Sequence, residues 1–159
     1  MTERQYWLLK SEPSTFSFDD LLASPARTTH WDGVRNYKAR NYLRDSLKQG
    51  DLVLFYHSST DSPAVVGIAE VVREGYPDPT AFDPDDPHFD PKSKRESPSW
   101  YMVDIRAVEA LARPLTLAEL RATKGLEKME LLQKGNRLSV QPVRPAEFQL
   151  VRKLTGLPK

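Results

Sequence analysis

The sequence predicts a single α+β domain built on a small, curled antiparallel sheet or barrel of five to six strands. Three observations predict it. Short segments with strand character recur along the 159 residues, separated by polar and proline-rich stretches. Segments with helical spacing are short and lie between them. No repeat and no linker of domain size divides the chain, so residues 1–159 are expected to form one domain.

The first half of the chain contains three expected strands. Residues 5–10 are apolar and aromatic and end shortly before Pro13. Residues 52–57 and 64–72 are rich in β-branched and aromatic side chains. The polar link between these last two predicts an antiparallel pair.

Two short helices are expected between these strands. Ser17 can cap the first helix, with Asp20 in its first turn. The second is expected over 36–48, where apolar residues at spacing i, i+4 form one face: Ala39, Leu43 and Leu47.

In the second half, residues 75–98 hold six of the 13 prolines and are expected to form an irregular loop. Alternating residues predict a strand over 100–108. A capping box at 116–119 predicts a helix that includes Leu126, Met129 and Leu132. Late strands are expected over 137–143, with Pro142 at an edge or at a bulge, and over 148–154.

Composition excludes several classes of protein. The chain has no cysteine, so disulfides, thiolate catalysis and cysteine–zinc sites are ruled out. Its apolar runs are too short to cross a bilayer, and the first residues do not resemble a secretion signal. We therefore expect a cytoplasmic protein without a membrane partner. The net charge of +1 conceals a basic segment over 35–48 and an acidic one over 78–90. A local basic face is compatible with a polyanionic partner.

Residues 31–44 combine rings, an amide and cations, which is the set of groups that holds a single nucleobase. The Trp31 ring could stack on the base and the Asn36 amide could read its edge, so we expect both to open onto one cavity. Each also has an ordinary structural explanation, as a core tryptophan and as a helix N-cap. The basic candidates for phosphate contacts, which could equally be solvated surface, are Arg35, Arg40, Arg44, Lys92 and Lys94.

Signals of catalysis are weaker. Ser11 could hydrogen-bond a ligand, and Lys10 beside it could act as a base. The histidines lack metal-ligand spacing, and no Gly-rich phosphate loop or nucleophile elbow is present. We expect no metal and no cofactor.

Five segments, in order and over nearly the whole chain, resemble the EVE domain of the PUA-like superfold: 6–13, 31–37, 50–58, 89–93 and 138–143. The resemblance implies a small β-barrel with a pocket for one flipped-out, modified base of DNA or RNA. In restriction-linked relatives that base resembles methylated or hydroxymethylated cytosine. Carried over by motif, the implied pocket residues are Trp31, Val34, Asn36, Lys10, Ser11, Tyr56, His57 and Ser58, with Trp100 and Gln141 as further candidates.

The expected function is therefore a monomeric, non-catalytic nucleic-acid-binding module for a modified base. The alternative is an amidohydrolase-like enzyme acting on a modified nucleoside, as the resemblance to ASCH relatives suggests, with Lys10, Ser11 or Glu12 as working groups. A third hypothesis is a protein-interaction module that uses the acidic segment 78–90.

Overall fold

The computed structural model describes residues 4–155 and contains one mixed sheet flanked by short helices. The strands are β1 Tyr6–Ser11, β2 Thr28–Trp31, β3 Leu52–His57, β4 Ala64–Pro77, β5 Tyr101–Thr116 and β6 Val140–Val143. The α-helices are α1 Phe18–Ala23, α2 Tyr37–Asn41, α3 Leu117–Arg121 and α4 Pro145–Leu154. Short 3₁₀ turns cover Pro25–Arg27, Pro79–Phe82 and Glu130–Leu132. In the part of the chain described, no helix has the length and apolar character needed to span a bilayer.

The strands are ordered β2-β5-β4-β3-β1-β6. Strand β1 runs parallel to β3, and the other pairs are antiparallel. The α+β class and the number of strands are confirmed, but the sheet is mixed and not closed, where the sequence predicted an antiparallel sheet or barrel. The parallel pair arises because the chain between β1 and β3 passes through α1, β2 and α2 before it returns to the sheet.

Alternating residues of the central strands build one core on each face of the sheet. Leu9 and Phe55 point to the face that α1 and α2 cover, where Trp31 also packs. Leu8 and Leu54 point to the opposite face and pack under α3 and α4. The period of two along a strand therefore supplies both layers of apolar contact.

The expected helix starts are confirmed. The Ser17 hydroxyl accepts from the Asp20 amide and the Asp20 carboxylate accepts from the Ser17 amide, at 3.0 and 2.8 Å, so both start-of-helix donors are satisfied. Asn36 caps α2, because its Oδ1 accepts from the Ala39 amide at 3.0 Å. Helix α2 ends at Asn41, earlier than predicted. The chain after it forms a π-helical turn over Tyr42–Ser46.

Three predictions about the elements are wrong. Residues 148–154 form most of α4, not a strand: Pro145 occupies its first turn, and the Glu147 carboxylate accepts from the Arg144 amide at 2.9 Å. The helix after residue 116 ends at Arg121, and turns lead to Glu130–Leu132. Strand β2 was missed. The expected edge position of Pro142 is confirmed, since β6 is the outermost strand.

Candidate nucleic-acid interface

An open groove of about 650 Å³ lies where the end of β1, strand β2 and residues 32–35 meet. Its volume falls within the range of about 300–1,000 Å³ that is common for small-molecule sites. A second depression, of about 590 Å³, lies beside β6 and the start of α4. None of the residues that the sequence nominated for base binding lines this second depression. The first groove is therefore the candidate site.

Trp31 lies at the end of β2 and contributes to both the core and the groove. Its ring meets Phe55 edge to face, with the centroids 5.4 Å apart, and the residue is only 8% exposed. The other two tryptophans, Trp7 and Trp100, donate their indole N–H to the carboxylates of Asp51 and Asp90. Within residues 4–155 the Trp31 N–H donates to no protein group. Trp31 therefore has little free ring surface, and its N–H is left without a protein partner among these residues.

A buried carboxylate holds the rim of the groove in place. Asp78, whose side chain is fully buried, accepts hydrogen bonds from the Gly33 amide at 2.8 Å and from Arg35 Nη1 at 3.1 Å. It also accepts from the Thr80 amide and hydroxyl, at 2.9 and 2.6 Å. Burial by itself would raise the pKa of Asp78, but the hydrogen bonds from Thr80, Gly33 and Arg35 outweigh it and hold the pKa below its usual value.

The backbone conformation of this turn favours Gly33. Its φ of +76° lies in the left-handed region, where residues with a side chain are strained. A Cβ placed there would also lie 2.7 Å from the His88 ring. The Arg35 guanidinium fastens the same loop, because its Nη2 donates to the His88 carbonyl at 2.7 Å. Residues from the proline-rich segment therefore close one side of the groove.

The end of β1 forms another side. Burial lowers the pKa of the half-buried Lys10 amine, which lines the groove. The Ser11 hydroxyl donates to the Phe16 carbonyl, and the Ser11 carbonyl accepts from the Ser58 amide at 2.9 Å. The Lys10 amide donates to the Ser139 carbonyl at 2.9 Å, which brings the loop before β6 to the groove.

His30 is a groove residue that the sequence did not nominate. Its Nδ1 lies 2.8 Å from an Asp104 carboxylate oxygen and 3.0 Å from the Tyr76 hydroxyl. The Tyr76 hydroxyl also donates to Asp104, and burial together with this bond raises the pKa of Tyr76. The ring is therefore oriented by a carboxylate on β5, a partner that lies 74 positions away in sequence.

Comparison with known proteins agrees with this architecture. The family model of the EVE domain matches residues 5–154. The chain belongs to the EVE domain family. Thymocyte nuclear protein 1 of Homo sapiens is 44% identical over 165 residues, which cover 94% of this chain and 73% of that protein. An uncharacterized protein of Schizosaccharomyces pombe is 35% identical, over 99% of this chain and 71% of its own length.

Two solved structures superpose closely on this chain. Human THYN1 in complex with 5-methylcytosine-containing DNA has a TM-score of 0.89 at 42% identity, over 98% of this chain and 99% of that one. A hypothetical protein from Leishmania major has a TM-score of 0.90 at 48% identity, over 96% and 95%. An ASCH protein from Zymomonas mobilis, with a TM-score of 0.56 at 11% identity, shares the fold alone.

In this EVE domain the groove brings together six of the residues nominated from sequence, namely Lys10, Ser11, Glu12, Trp31, Val34 and Arg35. It also contains residues that the sequence analysis did not nominate: Thr15, Phe16, Thr29, His30, Asp32, His88 and Ser139. Five of these lie within five residues of Ser11 or Trp31, and two, His88 and Ser139, reach the groove from segments that are distant in sequence. The occurrence of Gly33 beside Trp31 was the one local signal of a turn at this place.

Other nominated pocket residues lie elsewhere. Asn36 uses its side-chain oxygen to cap α2 and lines a neighbouring depression, so it does not share the Trp31 cavity as expected. Tyr56 is buried in the core on the opposite face of the sheet, because it alternates with Phe55. The His57 ring accepts from the Phe18 amide at 3.1 Å. Ser58 does not line the groove. Its backbone amide donates a hydrogen bond to the carbonyl of Ser11, which does.

The last two candidates also have structural roles. Trp100 is 5% exposed, stacks on Tyr37 with centroids 4.8 Å apart, and lies 5.2 Å from the Arg35 guanidinium carbon. Gln141 is buried, and its Nε2 donates to the Leu138 carbonyl at 2.9 Å. Neither side chain lines the groove.

Three of the five expected phosphate ligands are engaged within the protein. Arg35 serves Asp78, as described above. Arg40 donates to the Ser99 carbonyl at 2.6 Å, and Arg44 pairs with Asp45 at 2.8 Å. The remaining two, Lys92 and Lys94, form no ion pair with another residue of 4–155. Over the same range, no group of three acidic or histidine side chains is arranged to hold a metal ion.

The Asp78 interactions predict a specific stability defect. Asp78→Ala removes a buried carboxylate and leaves Arg35 and two amides without their partner, so the free energy of unfolding should fall by about 3–5 kcal/mol. Because the folded pKa of Asp78 is lowered, its stabilisation is present at neutral pH and is lost as the pH falls through that lowered value. The difference between parent and variant should therefore narrow in acid. Urea unfolding at several pH values measures it.

The matched control is Asp45→Ala, which removes a carboxylate from the exposed pair with Arg44. Its unfolding midpoint should stay at the parental value. A midpoint for Asp78→Ala equal to that of this control would contradict the structural role assigned to Asp78.

Proposed function

We propose that this protein is a non-catalytic DNA reader that holds one flipped-out, methylated cytosine in the groove beside Trp31. The observation that carries the proposal is the similarity to human THYN1, which was solved in complex with 5-methylcytosine-containing DNA and which matches this chain over 98% of its length. The groove is the part of this fold where nominated residues from β1, β2 and the following turn converge.

The chemistry of the groove suits a cytosine. The edge of cytosine presents ring and carbonyl acceptors, and the unpaired Trp31 N–H and the Lys10 ammonium are donors that can meet them. Val34 and Phe16 supply apolar surface for a methyl group. Ser11 is occupied with the Phe16 carbonyl as a donor, but its oxygen can still accept from the exocyclic amine of the base.

Extracting a base from a duplex costs a few kcal/mol, and less where the base is unpaired. Because the groove is open, a base from a single strand or one flipped out of a duplex can enter it without the movement of a loop. RNA carrying the same modified base is the competing ligand, since the sequence by itself is compatible with both DNA and RNA. We favour DNA because the solved human relative carries it.

Trp31→Phe tests the role of the indole N–H. A phenylalanine keeps the packing against Phe55 but removes the donor, so affinity for a 5-methylcytosine oligonucleotide should fall about two- to tenfold. Trp31→Ala is less informative, because the indole is part of the core and its truncation would also destabilise the fold. Fluorescence anisotropy with methylated and unmethylated DNA and RNA strands provides the measurement.

Trp7→Phe is the matched control. It removes an indole donor from a buried carboxylate on the same side of the sheet, outside the groove. It should lower stability and leave the affinity unchanged. Equal losses of affinity in both variants would show that Trp31 acts through the fold and not through the base.

Asp32 predicts a pH dependence of binding. Partial burial and then the negative charge of Asp78 raise its pKa, whereas the nearby His88 lowers it. As the pH falls through this raised value, the carboxylate at the groove becomes neutral and repels phosphates less, so DNA binding should tighten. Asp32→Asn should bind DNA more tightly than the parent at neutral pH and should lack this step. A parental pH profile in the variant would contradict the assignment.

The enzymatic alternative rests on Lys10, whose lowered pKa and position in the groove would suit a base or nucleophile. Against it, the Ser11 hydroxyl donates to a backbone carbonyl, so Ser11 is not held as a nucleophile by Lys10. The similarity to the ASCH protein is one of fold and carries no activity. Incubation with methylated and acylated cytosine nucleosides should yield no product detectable by mass spectrometry. Turnover that disappears in Lys10→Met would establish the alternative.

A further inference from the structure

A second, basic depression lies beside the groove. It has a volume of about 490 Å³ and is bounded by the start of α2 and by the loop that precedes β6. Three of its lining side chains are cations and none is an acid: Lys38, Lys134 and Arg137. The base groove, in contrast, contains the carboxylates of Glu12 and Asp32.

The basic depression adjoins the base groove, because at two positions in the chain consecutive residues line one and the other. Arg35 lines the base groove and the next residue, Asn36, lines the basic depression. In the same way, Leu138 lines the basic depression and Ser139 lines the base groove. Because consecutive Cα atoms are about 3.8 Å apart, one shared ridge separates the two concavities. A strand whose base enters the groove can therefore cross this ridge with its backbone.

The three cations are available for a ligand. All three are exposed, and within residues 4–155 none forms an ion pair. They differ in this respect from Arg35, Arg40 and Arg44, which donate to groups of the protein. Exposed cations that are not paired with a carboxylate of the protein keep their charge available for phosphate.

The loop that carries Lys134 and Arg137 is held in position from below. The buried Gln141 donates to the Leu138 carbonyl at 2.9 Å and to Asn136 Oδ1 at 3.1 Å. Asn136 Oδ1 also accepts from the Leu138 amide at 3.1 Å, and its Nδ2 donates to Glu130 at 3.0 Å. A loop that is ordered before binding loses less conformational entropy when it meets a ligand.

From this placement we infer that Lys38, Lys134 and Arg137 form the phosphate-binding surface for the nucleic-acid strand beside the flipped base. The inference rests on the proposed function for the identity of that strand. The Asn36 amide nitrogen, which is left over when its oxygen caps α2, is a further donor on the same surface. The phosphate contacts expected from sequence at Arg40 and Arg44 are replaced by these three.

The test is the triple variant Lys38→Gln, Lys134→Gln and Arg137→Gln, titrated with a single-stranded 5-methylcytosine oligonucleotide over a series of salt concentrations. Each lost phosphate contact should reduce the slope of log affinity against log salt by about 0.7, so the slope should become less steep by about two. At low salt the affinity should fall by roughly tenfold or more. The preference for methylated over unmethylated DNA should stay as in the parent, because the base groove is untouched.

The matched control removes three exposed lysines from the helical layer on the opposite face of the sheet: Lys124→Gln, Lys128→Gln and Lys153→Gln. The same change in net charge should leave the salt slope as it is in the parent. A salt slope in the first triple variant equal to that of the parent, or equal changes of slope in the two triple variants, would overturn the inference. The proposed base reader would still stand in that case if the protein preferred methylated to unmethylated DNA. Salt-dependent binding without methyl preference, lost in the first variant alone, would support this surface and overturn the base reader.

Discussion

The rim of the groove depends on one buried carboxylate. Asp78 is withdrawn from water and is compensated by donors from Gly33, Arg35 and Thr80. A buried charge is tolerated only when its partners are in place, so these contacts tie the turn after β2 to the segment after β4. Gly33, with its positive φ, and the His88 ring lie together at this connection. The rim of the groove is therefore held by the ion pair of Arg35 with Asp78.

This use of charge divides the cations of the basic segment into two groups. Arg35 neutralises Asp78, Arg40 holds the Ser99 carbonyl and Arg44 pairs with its neighbour Asp45. They stabilise the fold and its loops. Lys38 in the same segment forms no ion pair within the described residues, and it joins cations from the loop before β6. A sequence shows how many cations a segment holds, but whether each is free depends on acids and carbonyls elsewhere in the fold.

Local signals in the sequence predicted the local features of the structure. The cap formed by Ser17 and the buried face of Ala39 and Leu43 both depend on neighbours within a few residues. The parallel pairing of β1 with β3 could not be predicted in this way, because it depends on how 40 intervening residues pack. The start of α4 did have a signal, Pro145 followed by Glu147, and the apolar residues after it were mistaken for a strand.

The same distinction applies to the site. Trp31, Lys10 and Ser11 were nominated from their residue types and again by the family resemblance, and they line the groove. His30 and His88 were missed, because their partners Asp104 and Gly33 lie 74 and 55 positions away. Asn36 was predicted to lie in the groove because its side-chain amide suits a base edge. In the structure its Oδ1 accepts from the Ala39 amide at the start of α2. When a side-chain oxygen could bind either a ligand or a nearby backbone amide, the amide is favoured because it is always close by.

The burial of Trp31 limits how the proposed reader can recognise its base. Stacking on an exposed ring is tolerant of sequence, because every base has a π-face. An indole that is 8% exposed offers its N–H instead, and hydrogen bonds to a base edge distinguish one base from another. They do not distinguish a methyl group, which only apolar contacts such as Val34 can detect. One methyl group in an apolar pocket accounts for about 1–3 kcal/mol, or roughly 10- to 200-fold. In the proposed reader, selection of cytosine would therefore come from the polar groups of the groove, and selection of its methylated form from close apolar packing.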